Sequence, residues 1–286
     1  MSEKSTKHQQ SLKIPKPILI TAKLLELTSS KLAMKFASKL FTSPMKYKIP
    51  KREVEMDRNS IQESLILEKI GKEIVVYHYG ESDKKVLLVH GWSGRGTQLV
   101  KIADEMLKMG YSTISFDAPA HGKASGKTSN MTEFIAAILE MQEKFGPFEF
   151  AIGHSLGGMT IMNAIKRGLK VKKAVIVGSG DIVEDIMDDF IEKLGMNIAI
   201  SKKMKASFEK KIGETIESYS AYIAAREVTV PVLVIHDNDD DDVPVKAAYN
   251  IHENLENGEL FITNGLGHRK VLGDAKVIKK IVAFLN

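Results

Sequence analysis

Residues 153 to 157 read Gly153-His154-Ser155-Leu156-Gly157, the form G-x-S-x-G. An apolar run ending at Gly153 precedes them, and a run of helix-forming residues follows Ser155. In that context the pattern is a nucleophile elbow, a strand-to-helix turn with a serine at its tip. The tip exposes the hydroxyl and holds it rigid. The tight backbone leaves no room for side chains two residues to either side, so glycine suits both places. The amides that open the next helix, Leu156 first, lack intrahelical acceptors and can donate to an oxyanion. The chemistry implied is attack by Ser155 on a carbonyl carbon. A serine needs a base to take its proton. The chain holds eight histidines and no cysteine, so neither a thiolate nucleophile nor a thiolate metal site is available.

Strand and helix must therefore alternate around the elbow, and the sequence does so. Phe148-Ile152 reads as the strand before it and Met159-Arg167 as its helix. Lys85-Val89 is a continuous apolar strand ending in His90-Gly91-Trp92-Ser93-Gly94. Tyr111-Phe116 is another, ending in Asp117 and running on to His121-Gly122. Helices are predicted over 97–109 and 131–145, and a strand over 174–177. The alternation breaks between 181 and about 228. Apolar residues recur there at helical spacing, among them Ile186, Phe190, Leu194, Met204, Phe208, Ile212, Ile216 and Tyr219. It then resumes with a strand at 232–235, a helix at 245–255, a strand at 260–263 and a last helix at 277–285. Buried strands alternating with helices predict an α/β fold, a mostly parallel sheet covered on both faces, with its site at the carboxyl ends of the strands.

Charge divides the chain of 286 residues, whose net charge is +5. Residues 1 to 52 hold 12 Lys/Arg and 2 Glu, a net +10, so the remainder carries −5. The basic character belongs to the N-terminal segment, which argues against a nucleic-acid-binding body. Residues 1 to about 16 are polar and lysine-rich, the composition of a disordered end. Residues 17 to 41 have helical periodicity, with Leu32, Phe36 and Leu40 on one row, Ala33, Ala37 and Phe41 beside it, and Lys31, Lys35 and Lys39 on another face. The favoured reading docks this helix on the acidic body with its lysines in water. A second makes it a weak peripheral contact with a membrane surface. Residues 53 to 64 read as a short helix or linker, followed by strands near 68–70 and 74–79 with a turn at Gly71-Lys72. The expected division is an N-terminal basic extension over 1–60 and one domain over 61–286, with a helical insertion at about 181–228. No secretory signal or membrane-spanning stretch is visible, which predicts a cytoplasmic protein.

From about residue 65 onward the chain resembles the α/β-hydrolase family. The resemblance rests on five signals in order: HGWSG, DAPAHG, GHSLGG, HDNDDDDVP and GLGHRKVL. It implies a Ser–acid–His triad. Ser155 matches the nucleophile, and His268, in the loop after the last strand, matches the base. Family members often read H-G-x-x-D-x-x-V-P at the acid loop. Counting back from Val243-Pro244 gives Asp240, while Asp237 stands where glycine is usual. The other aspartates of 237–242 read as solvated charges. The resemblance pairs the Trp92 amide with that of Leu156 as the oxyanion hole.

The resemblance thus implies a serine hydrolase that cleaves a carboxylic ester through an acyl-enzyme. Its expected partner is a small-molecule ester with an apolar part. The apolar points of 181–228, where the family commonly carries a helical cap, suggest a pocket for that part; Met187, Met196 and Met204 could make it adaptable, although filling the cap's own core is their more ordinary role. No organic cofactor and no metal is called for. Asp237, Asp239 and Asp241 alternate like a calcium loop, but Asp242 stands where that loop needs glycine and Ala248 where it needs glutamate. Residues 122–128, GKASGKT, are one residue short of a phosphate-binding loop. Thioester or amide hydrolysis, acyl transfer and cofactor-free peroxide chemistry use the same triad. A hydrolase-like shell that only senses a small molecule is the alternative from another class.

Overall fold

The computed structural model describes residues 14–286. The expected disordered end therefore lies, up to residue 13, outside the described residues. Eight strands form one sheet: β1 (Ile61–Leu67), β2 (Lys72–Tyr79), β3 (Lys85–Val89), β4 (Ser112–Asp117), β5 (Phe150–His154), β6 (Lys173–Val177), β7 (Val232–Asp237) and β8 (Gly258–Thr263). Their order is β1-β2-β4-β3-β5-β6-β7-β8. β1 and β2 are antiparallel, β2 runs antiparallel to β4, and every other pairing is parallel. The helices are α1 (Lys16–Thr28), α2 (Ser30–Phe41), α3 (Val54–Asn59), α4 (Val100–Lys108), α5 (Met131–Phe145), α6 (Leu156–Lys166), α7 (Val183–Lys193), α8 (Ile198–Ile212), α9 (Ala221–Ala225), α10 (Lys246–Glu253), α11 (Gly267–Lys270) and α12 (Ala275–Leu285).

The two-residue period of a strand builds the core in two layers. Val86, Leu88, Phe150, Ile152, Val175, Val177, Leu233 and Ile235 face one side, packed with Ile102 and Met106 of α4 and Ile281 and Leu285 of α12. Their neighbours Leu87, Val89, Ala151, Ala174, Ile176, Val232 and Val234 face the other, packed with Phe134 and Ile138 of α5, Ile161 of α6, Ala224 of α9 and Ile251 of α10. Strands buried on both faces read as unbroken apolar runs, and this is why they were legible.

The first strand lies at 61–67, not near 68–70. It is an edge strand whose outward residues are exposed, Ile61 at 75% and Ile66 at 58%, so no apolar run marks it. Residues 17–41 form two helices, not one. The break is at Ser29, whose backbone is extended and whose hydroxyl accepts the Leu32 N–H, the usual role of an N-cap. The resulting hairpin does not dock on the sheet layers. Ala22, Ala33 and Ala37 pack on Met187, Ile191, Leu194 and Met204 of the helices inserted between β6 and β7. These small side chains let the helices approach closely. The residues read as pocket-forming in the insertion thus largely pack the hairpin. Lys31, Lys35 and Lys39 face solvent as read, and Ile20, Leu24, Leu27 and Leu32 are exposed as well. Among the described residues no helix is long and apolar enough to cross a membrane.

Candidate active site

The elbow is formed as its residue types require. Ser155 sits between β5 and α6 with φ 53° and ψ −119°, a conformation that costs a residue with a side chain about 1–3 kcal/mol. A Cβ at Gly153 would lie 2.5 Å from the Gly157 carbonyl carbon, and one at Gly157 would lie 2.3 Å from the Val89 oxygen. Both glycines therefore permit a backbone approach that no other residue allows. Ser155 makes no side-chain capping hydrogen bond. Leu156 is the first residue of α6, so its N–H points out of the helix end.

The loop after β3 closes against this tip. A Cβ on Gly91 would come within 3.0 Å of Ser155 Cβ. Trp92 follows directly, and among the described residues no backbone acceptor takes its N–H or that of Leu156. Two struts hold this loop. His90 donates from Nδ1 to the Gly91 carbonyl at 2.7 Å and accepts at Nε2 from the Ala118 N–H at 3.1 Å. Burial, reinforced by the neighbouring His121, holds its pKa well below the usual imidazole value, so it stays neutral. The second strut is Asp117, fully buried, which accepts from the Gly96 N–H at 2.7 Å, the Lys123 N–H at 2.6 Å and the Tyr77 hydroxyl at 2.9 Å. Burial raises its pKa. The sequence marked DAPAHG as a signal without assigning Asp117 this work, because its partners come from three other segments.

His268 is the second residue of the short helix α11 after β8 and is 7% exposed. Its Nδ1–H donates to Asp240 Oδ2 at 2.7 Å. Asp240 Oδ1 accepts from the Asp242 and Val243 amides at 2.9 and 2.8 Å, and Oδ2 lies 3.3 Å from His236 Nε2. Burial alone would raise this carboxyl's pKa. The hydrogen bonds from His236 and His268, the His268 charge and the Val243 amide outweigh burial and hold it far below the carboxylate range. A carboxylate so placed fixes the imidazole tautomer and stabilises its protonated form. No hydrogen bond joins Ser155 to His268 among the described residues, and such bonds commonly tighten only when substrate binds. The two segments are tied one residue away: His154 Nε2–H donates to the His268 carbonyl at 2.8 Å, and the two rings lie 4.6 Å apart. Burial first, and the nearby His268 second, push His154 down to about 3, so it remains a neutral strut.

Asp237 is not a solvated charge; it is 1% exposed. Its Oδ1 accepts from the Asp239, Leu266 and Gly267 amides at 3.0, 3.2 and 2.9 Å, and its Oδ2 from the Thr263 hydroxyl at 2.6 Å. Burial opposes its charge, yet these bonds win and its pKa is lowered. The residue that departs from the family pattern therefore clamps the loop that carries His268 to the end of β7. Asp239 is exposed but accepts from the Gly265 N–H at 2.7 Å, and Asp241 is exposed. Asp237→Ala leaves three amides without an acceptor. It is expected to cost roughly 1–3 kcal/mol of stability and to lower kcat ~10- to 100-fold through a misplaced His268, with KM little changed. Denaturant unfolding and steady-state ester kinetics check this. A variant as active and stable as wild type would show that the clamp is dispensable.

Among the described residues no group of three or more His, Cys, Asp or Glu is arranged to hold a metal ion.

A family model described as alpha/beta hydrolase fold matches residues 84–195, from the start of β3 into the insertion. No curated protein matches the chain. Among solved structures, an esterase from Pyrococcus furiosus is similar with a TM-score of 0.64 at 19% identity, covering 85% of this chain and 98% of that one. An esterase from Exiguobacterium antarcticum aligns with a TM-score of 0.61 at 17% identity over 79% of this chain and 99% of its own. A bromoperoxidase from Bacillus anthracis aligns with a TM-score of 0.60 at 16% identity over 79% and 99%.

Proposed function

Because this chain has the α/β-hydrolase fold, we propose that it is a serine hydrolase that cleaves a carboxylic ester through an acyl-enzyme on Ser155. The observation that carries the reading is the juxtaposition at one end of the sheet. Ser155 stands on a strained elbow, two unpaired amides flank it, and a buried Asp240–His268 pair is tied to the same elbow. The esterases among the structural neighbours support it.

In the proposed mechanism Ser155 Oγ attacks the ester carbonyl carbon as His268 Nε2 takes the hydroxyl proton. The Trp92 and Leu156 amides stabilise the negative oxygen of the tetrahedral intermediate, a contribution of about 10²–10³ in turnover for one side-chain donor of this kind. The carbonyl re-forms, the C–O bond to the alcohol breaks, and His268 gives its proton to the departing alkoxide. Water then attacks the acyl-enzyme with His268 again as base. The second tetrahedral intermediate collapses, the bond from the acyl carbon to Ser155 Oγ breaks, His268 returns its proton to Ser155, and the acid departs. Asp240 stays ionised throughout and stabilises the imidazolium.

A panel of p-nitrophenyl esters of increasing acyl length, run beside the matching thioesters and anilides, tests the reading. Esters are expected to turn over fastest. Faster thioester or anilide cleavage would reassign the reaction. No turnover on any member, with no labelling of Ser155 by a fluorophosphonate, would leave the small-molecule sensor.

A further inference from the structure

Away from Ser155, the N-terminal hairpin and the inserted helices border an open-sided cavity of about 600 Å³. That is within the size range of sites for small organic ligands. Met34 and Phe41 of α2, Met187 of α7, and Phe208 and Ile216 form an apolar wall. Lys35, Lys39 and Lys211 also line the cavity, and all three are exposed. Its lining contains no acidic side chain, and among the described residues none of the three lysines is in a salt bridge. At the foot of this space α5 begins. Its N-cap Asn130, Met131 and Thr132 all line the cavity; the Asn130 side-chain oxygen accepts from the Glu133 N–H and the Thr132 hydroxyl, and its NH₂ donates to Glu133 Oε1. Beside them Ser129 is 1% exposed, and its hydroxyl finds no partner. A buried hydroxyl left unpaired costs about 1–3 kcal/mol, so a ligand oxygen there would be favoured. The Ser129 N–H donates to the Thr42 carbonyl at 2.8 Å, which fastens the end of α2 to this wall. Ser155, His268, Asp240, Trp92 and Leu156 are all absent from the lining.

An apolar chamber with cations and no anion in its lining, and hydrogen-bond donors at a helix start, fits one chemical class: a single alkyl chain ending in an anionic oxygen group. We propose that the hairpin, α5 and the inserted helices form a fatty-acid site separate from the Ser155 site. The alkyl chain lies against Met34, Phe41, Met187 and Phe208, and the carboxylate meets the Ser129 hydroxyl and the lysine side chains. The inference is independent of what Ser155 does. It assigns the basic N-terminal segment a role as one wall of a binding site, with lysines matched to the ligand's charge.

The test is titration calorimetry of the full chain with dodecanoate below its micelle concentration, compared with octanoate, decanoate and neutral dodecan-1-ol. Dodecanoate is expected to bind once per chain. Affinity should rise about fourfold per added methylene, the transfer free energy of a buried CH₂. Dodecan-1-ol should bind at least ~10-fold more weakly than dodecanoate. Ser207→Phe projects a ring into the cavity from a half-buried position on α8, away from the elbow, and should weaken dodecanoate at least ~10-fold. The Lys35→Ala/Lys39→Ala/Lys211→Ala variant, on exposed positions that tolerate change, should erase the preference for the acid over the alcohol. Both variants should melt like wild type and turn over an acetyl ester at the wild-type rate. No binding to wild type would overturn the proposal, as would undiminished binding to folded Ser207→Phe. A preference for acid over alcohol as large in the lysine variant as in wild type would overturn the anionic assignment.

Discussion

Ser155→Ala is expected to lower ester turnover by about 10⁴–10⁶-fold, the range seen when a triad serine is removed. It should also abolish labelling by a fluorophosphonate, which reacts only with an activated hydroxyl. The fold should be unaffected, because the Ser155 side chain makes no capping hydrogen bond and alanine meets the same backbone strain. Residual turnover from the oxyanion amides and substrate binding should remain above the rate in water. Labelling that persists at another residue of the variant would place the nucleophile elsewhere.

The second large effect is expected at Asp240. Every neighbour of this carboxylate is a donor. The Asp242 and Val243 amides face Oδ1, and His268 Nδ1–H and His236 Nε2 face Oδ2. In Asp240→Asn the side-chain NH₂ must therefore face donors in either orientation. If it faces His268, the imidazole is driven to the wrong tautomer. If it faces the loop amides, two backbone donors are lost and the imidazolium still lacks a counter-charge. Turnover should fall by roughly two to four orders of magnitude, as for an acid-to-amide change in a comparable triad. The same change at Asp239 and Asp241, which are exposed, or at half-buried Asp242 should cost under about tenfold, because charges that reach solvent act weakly through it. Asn substitutions at all four positions, with folding checked by circular dichroism, separate the cases. An unimpaired Asp240→Asn beside a collapsed neighbour would move the acid within the loop.

Asp237 shows why the acid loop was only half legible. Five aspartates between 237 and 242 look alike in a sequence, and only the resemblance to the family's pattern before Val243-Pro244 pointed to Asp240. The clamp made by Asp237 depends on amides at 266 and 267, which reach it only once β8 has paired beside β7. Its burial is thus a property of two segments about thirty residues apart, and no local pattern records it. The same holds for His154, whose ring would be an arbitrary elbow residue without the His268 carbonyl to accept its Nε2–H.

The sequence by itself determined the local units. Unbroken apolar runs became the strands buried on both faces, and Gly153 and Gly157 marked a turn tight enough to exclude side chains. It also determined that the basic residues gather before position 52. Only the tertiary structure decided where that segment goes. Ala33 and Ala37 carry too little apolar surface to name a partner, and Ser29 interrupts a helical pattern without glycine or proline to announce it. The hairpin's position follows from shape. Small residues allow α2 to approach α8 closely, and complementarity between two surfaces exists only after both have folded.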